Sequence, residues 1–160
     1  MGARPAGFCY IGGMRLSARC RYGLRAAIDI AFHNRGRPTR VSEMSKRQGV
    51  SPRMLEQVLA RLKAHGLLGT RRGRLGGYFL AHPPAEITVG DVIRACDGGL
   101  RLTVGEHSGQ ASAPADAVWT ELERQMTAVF DGVSLADICR RTERAGVPRA
   151  APDHQTMFFI

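Results

Sequence analysis

Four side chains near the middle of this chain have the chemistry needed to read base pairs. Arg53, Glu56, Gln57 and Arg61 fall in the segment SPRMLEQVLARLKAHG, which begins at Ser51. A guanidinium suits guanine, a carboxamide suits adenine and a carboxylate accepts from cytosine, provided that one element presents them together to the major groove. Met54, Leu55, Val58, Leu59 and Leu62 recur every three or four positions, so a helix would bury that side and turn the polar side chains outward. Further along, Arg71-Arg72-Gly73-Arg74-Leu75-Gly76-Gly77 places arginines in a turn-forming loop. A cationic loop of that kind suits phosphates or the narrow minor groove. A solvated amphipathic helix followed by an ordinary hairpin is the plainer alternative.

No other arrangement of reactive residues competes. The cysteines, at 9, 20, 96 and 139, form no CxxC pair, and the histidines at 33, 65, 82, 107 and 154 are scattered. No GxSxG, Walker loop or HExxH is present, so the reading is of a protein that is not an enzyme. Cys20 stands between Arg19 and Arg21 near a helix start, where positive charge and the helix dipole would lower its pKa. That makes Cys20 the candidate redox switch. Cys96 and Cys139 lie on apolar helical stripes, as inert buried thiols do.

The elements that must position these groups can be read from their caps. Ser51 is a helix N-cap, Pro52 suits the first helical position and Gly66 a helix stop. Leu67 and Leu68, then Tyr78, Phe79 and Leu80, are extended runs on either side of the arginine loop, with Gly73 in its bend; together they make a basic β-hairpin wing. Upstream, Ser17 caps a helix to about residue 34, with Tyr22, Ala26, Ala27, Ile30 and Ala31 on its apolar side and Arg15, Arg19, Arg21 and Arg25 supplying charge. Ser42 is expected to cap a short helix that ends at Gly49, which with the helix from Ser51 makes a helix-turn-helix. Downstream, Thr88 pairs with Asp91 as a capping box for a helix to about Cys96, and Ser134 pairs with Asp137 for a last short helix.

Between these lies a helix over residues 115–131, whose stripe of Val118, Leu122, Met126, Val129 and Phe130, with Trp119 beside it, is too long for a small winged domain to cover. A second copy of the same helix would bury it as a two-fold homodimer; folding back onto its own domain is the alternative. The fold class is mostly α with a small β-hairpin wing: a winged helix-turn-helix plus a long C-terminal dimerisation helix. The expected organisation is a disordered extension over 1–13, with Met14 an alternative start, a DNA-binding domain over 14–96, a mobile loop over 97–114, dimerisation helices over 115–144 and a flexible tail over 145–160.

Charge is distributed to match. The net charge is +9, yet residues 14–84 hold 15 Lys/Arg against 3 Asp/Glu, and residues 85–144 hold 6 against 10. The basic half coincides with the reading unit, as expected when one part of a chain neutralises phosphates. No apolar run approaches the length of about 20 residues needed to span a bilayer, and no signal-peptide core opens the chain, so a cytoplasmic location is expected.

Four separated segments, MRLSARCRYGLRAAIDIA, SPRMLEQVLARLKAHGLL, RRGRLGGYFLAHPPAEITVGDVIRACDG and VWTELERQM with VSLADI, resemble in this order the bacterial winged-helix regulators of the IscR, NsrR and CymR type. The resemblance runs from Met14 to about Arg141. It implies homodimeric regulators on palindromic promoter DNA, with the long helix crossing to the partner subunit. It also implies DNA contacts from Glu56, Gln57 and Arg72, with Met54 where the family often has Tyr. The family's cluster-binding members carry three cysteines in the loop after the fourth helix. Residues 97–114 have none, and the family's histidine ligand falls at Asp116. The resemblance implies repressors or activators, and the reading adopted is of a repressor without the conventional iron–sulfur site and with no cofactor, with docking of a partner metabolic enzyme, or sensing through Cys20, as alternative modes of control.

Overall fold

The computed structural model describes residues 16–34, 37–100 and 113–150, and these form six helices and one hairpin: α1 (Ala18–His33), α2 (Val41–Gln48), α3 (Pro52–Ala64), β1 (Leu68–Arg71), β2 (Gly77–Leu80), α4 (Val89–Asp97), α5 (Ala113–Asp131) and α6 (Leu135–Arg144). Arg15, the extension over 1–13, most of the expected loop and the end of the tail lie outside the described residues. The expected class, a helical protein with a two-stranded antiparallel wing, is the one observed.

The core forms where α1, α3 and α4 meet. α1 is capped by Ser17, whose hydroxyl accepts from the Cys20 N–H at 3.0 Å, and it buries Cys20, Gly23, Ala26, Ala27 and Ile30. Small side chains let the neighbouring helix come close: a Cβ at Gly23 would lie 2.4 Å from Cys96 Sγ. α3 adds Leu55, Val58, Leu59 and Leu62, and α4 adds Val92, Ile93 and Cys96. Side chains of this kind contribute about 1.5–3 kcal/mol each on burial, so this three-helix contact dominates stability.

One expectation needs correction. Ser42 does not cap α2; Arg40 occupies the N-cap with extended backbone and no side-chain cap, and the helix starts at Val41. The cause lies outside the helix. Thr39 pairs with Tyr78, with Thr39 N–H donating to the Tyr78 carbonyl at 2.7 Å and Tyr78 N–H donating back at 2.8 Å, which holds the chain extended up to Arg40.

α6 packs on α1 of its own chain and buries Leu135 in the common core. Its start pairs with the start of α4 through Val89 N–H to the Val133 carbonyl at 2.9 Å and Leu135 N–H to the Ile87 carbonyl at 2.8 Å. Residues 145–150, expected to be flexible, also fold back. The Arg149 guanidinium lies 4.8 Å from the centre of the Phe32 ring, and Ala150 N–H donates to His33 Nδ1 at 2.8 Å.

α5 behaves differently. Near its C-terminal end Phe130 packs against the core and Asp131 takes a 2.8 Å bond from Arg94. Further back, Val118 is 58%, Leu122 39% and, on the last turns, Val129 66% exposed, while Trp119 and Met126 are half-buried.

Candidate nucleic-acid interface

α3 is set by its first residues. The Ser51 hydroxyl accepts from Met54 N–H at 3.4 Å and Pro52 holds the first helical position, so the helix starts where the sequence predicts. Arg53, Glu56 and Gln57 are exposed, whereas Met54 is half-buried against the core. Arg61 is exposed as well, and its Nη1 donates to the Cys96 carbonyl at 3.3 Å, at the end of α4. Arg19, exposed on α1, acts electrostatically on the same Cys96. Arg19 and Arg61 thus lie near the end of α4, while Arg53, Glu56 and Gln57 form the part of the outward edge of α3 nearer its start.

The turn at Gly49 and three sets of hydrogen bonds hold α2 against the start of α3 and against α1. Gly49 adopts φ 63° between the two helices, a left-handed conformation that glycine takes at little cost. Ser45 Oγ donates to the Val50 carbonyl at 2.8 Å across the same turn. Arg47, near the end of α2, donates to both carboxylate oxygens of buried Asp29 on α1. Arg25 adds a 2.8 Å bond to the Gln48 carbonyl.

The wing pairs Leu68 with Leu80 through to Arg71 with Gly77. Beyond Arg72, Gly76 N–H donates to the Gly73 carbonyl at 2.9 Å, which makes Gly73 to Gly76 a tight turn with Arg74 and Leu75 at its two central positions. A Cβ at Gly76 would meet the Arg71 carbonyl oxygen at 2.3 Å, so only glycine fits there. Arg72, Gly73 and Arg74 are all exposed. The wing is anchored at its root: Thr39 lies along β2 as a third, one-residue strand, the Arg40 guanidinium donates to the Arg74 carbonyl, and Lys63 Nζ on α3 donates to Thr70 Oγ1 at 3.0 Å. Thr39 and Arg40 carry no sequence signal that singles them out, because their partners are distant in the chain.

Burial reverses the expectation for Cys20. The thiol has no exposed surface, and burial first, then the neighbouring Cys96 and Asp97, push its pKa up to about 12. Burial and Asp97 likewise push Cys96 up to about 11, against the pull of Arg61 and Arg19. Both are neutral thiols, which are poor nucleophiles.

A polar helix edge held by a helix-turn-helix and flanked by a basic, anchored hairpin defines a winged-helix DNA-binding protein. The comparison with known proteins refines that class. Residues 16–141 match the family model Rrf2, described as an iron-dependent transcriptional regulator, and the chain belongs to this family. It is 31% identical over 147 residues to the HTH-type transcriptional regulator IscR of Klebsiella pneumoniae (strain 342), an alignment covering 89% of this chain and 90% of that one. Among solved structures it is similar to CymR, the global cysteine regulator of B. subtilis, at 30% identity and TM-score 0.69, covering 80% of this chain and 98% of that chain. T. potens IscR is similar at 31% identity and TM-score 0.69, covering 87% and 96%. The chain is a DNA-binding transcription regulator rather than an enzyme.

The family description raises the question of iron, and among the described residues no group of side chains fits an iron–sulfur cluster. Such clusters are held by several converging thiolates, typically four. Among the described residues Cys20, Cys96 and Cys139 are buried, burial raises the pKa of each, and no three His, Cys, Asp or Glu side chains converge. The segment over 97–114, where the related sensors carry cysteines, has none. Among the described residues no helix is long and apolar enough to cross a membrane.

Proposed function

We infer that this regulator binds a palindromic operator as a cytoplasmic homodimer, reads its sequence with α3 without help from a cluster, and represses by occupying promoter DNA. The observation that carries the reading is the outward edge of α3, where Arg53, Glu56 and Gln57 are exposed together on a helix whose other side is locked into the core. Each has a base partner in the major groove. Arg72 and Arg74 on the wing supply the phosphate and minor-groove contacts that set register. The exposed stripe of α5 supports the dimer. Val118, Leu122 and Val129 recur on one side of a helix that its own domain covers only near the end, and a two-fold copy would cover the rest. Two subunits so arranged would place two reading helices on half-sites about one helical turn apart.

The test combines anaerobic purification with a mobility shift on the DNA upstream of the gene. The reading expects no visible absorption, no stoichiometric iron or sulfide, and a sequence-specific shift with two subunits per duplex. A coloured, iron-loaded protein would overturn the cluster-free part, and equal binding to scrambled DNA would overturn sequence-specific recognition.

A further inference from the structure

Leu75 has a position that the contacts above leave unexplained. It is 81% exposed, more than Val118, Leu122, Val129 or Val147, the other large exposed apolar side chains among the described residues. A single exposed leucine is ordinary on a protein surface. Its place is not. Leu75 and Arg74 are the two central residues of the Gly73 to Gly76 turn, positions where Gly, Asn and Asp are favoured and an apolar branched side chain gains nothing. The turn flanks them with glycines that offer no side chain to pack on. The tip is nevertheless held, because Thr39 pairs with Tyr78 at the wing root and Arg40 grips the Arg74 carbonyl. An apolar side chain is thus presented on a fastened arm, next to a cation, and the described residues leave it uncovered.

We propose that Leu75 is a minor-groove wedge: the wing tip enters the minor groove, Arg74 takes the flanking phosphate or groove floor, and Leu75 inserts against a base step and partly unstacks it. This rests on the DNA-binding reading of the wing and deepens it. Apolar residues used in this way kink duplexes by roughly 20–90°, and they favour flexible pyrimidine–purine steps. The chain would therefore discriminate sequence at a step that no hydrogen bond touches.

The probe is a duplex selected by the wild-type protein from a random-sequence pool, with 2-aminopurine placed in turn at each step outside the major-groove half-sites. Wild type should raise the fluorescence at one step per half-site and bend the duplex. Leu75→Ser should abolish both signals and weaken binding about tenfold, the loss expected for one buried leucine. Because no charge is removed, its slope of log affinity against log salt should equal that of wild type. Leu75→Met, which keeps an apolar tip, should restore most of the fluorescence. A Leu75→Ser protein that binds, bends and unstacks the selected duplex as wild type does overturns the wedge alone. Failure of wild type to select any duplex overturns the DNA reading beneath it, and the wedge with it.

Discussion

Arg47 and Asp29 form an ion pair at 2.5 Å that joins α2 to α1, with the Asp29 side chain only 5% exposed. The helix-turn-helix is therefore fastened to the scaffold by a charge that water barely reaches. A buried carboxylate that loses its partner is costly, whereas replacing both members by apolar groups costs far less.

Removing one member should accordingly destabilise strongly. Arg47→Met is expected to cost about 3 kcal/mol in urea unfolding, and Asp29→Leu combined with Arg47→Met less than Arg47→Met alone. A single variant as stable as wild type would mean that the pair does not hold α2.

The stripe on α5 leads to a second expectation. Leu122→Glu together with Met126→Glu would place charge in the subunit seam, so sedimentation should find monomers with helical content retained. A double variant that sediments as a dimer would exclude α5 as the interface.

Acid should loosen α4 at its start. Burial pushes the Asp91 carboxyl upward, but the bonds from the Thr88 N–H, from Arg94 and from the Thr88 hydroxyl outweigh it, and the pKa lies below the ordinary 3.8. A carboxylate whose pKa is depressed on folding stabilises above its unfolded pKa, and that stabilisation is lost as pH falls through the lower, folded value. Thr88→Ala should cost about 1 kcal/mol at neutral pH, and Asp91→Asn should remove part of the stability loss between about pH 4 and the acid limit. An unchanged acid-unfolding profile for Asp91→Asn would show that the capping box contributes nothing there.

The features legible in the sequence were those whose cause is local. Ser17, Ser51, Thr88 with Asp91, and Ser134 with Asp137 cap the helices expected, because a cap bonds a backbone group three residues away. The buried sides of α3 and α4 followed from spacing in the same way. What escaped depends on partners far along the chain. Arg61 is exposed as its spacing implies, but its bond to the Cys96 carbonyl joins positions that no local pattern connects. Thr39 has no local signal, yet its pairing with Tyr78 sets both the start of α2 and the root of the wing. Cys20 looked reactive from its arginine neighbours because charge is visible in a sequence and burial against α4 is not. Arg149 lay in a patternless tail, and only the fold brings it to the Phe32 ring.

The central claim is that α3 reads sequence while the wing supplies charge and shape, and titration of Gln57→Ala against Arg74→Ala tests it most directly. Both variants are measured on selected and scrambled duplexes at several salt concentrations. Gln57→Ala should lose about 1–3 kcal/mol on the selected duplex and almost nothing on the scrambled one. Arg74→Ala should weaken both and lower the slope of log affinity against log salt by about one, because one fewer counterion is released. If Gln57→Ala binds both duplexes as wild type does, α3 is not the reader and the account is wrong.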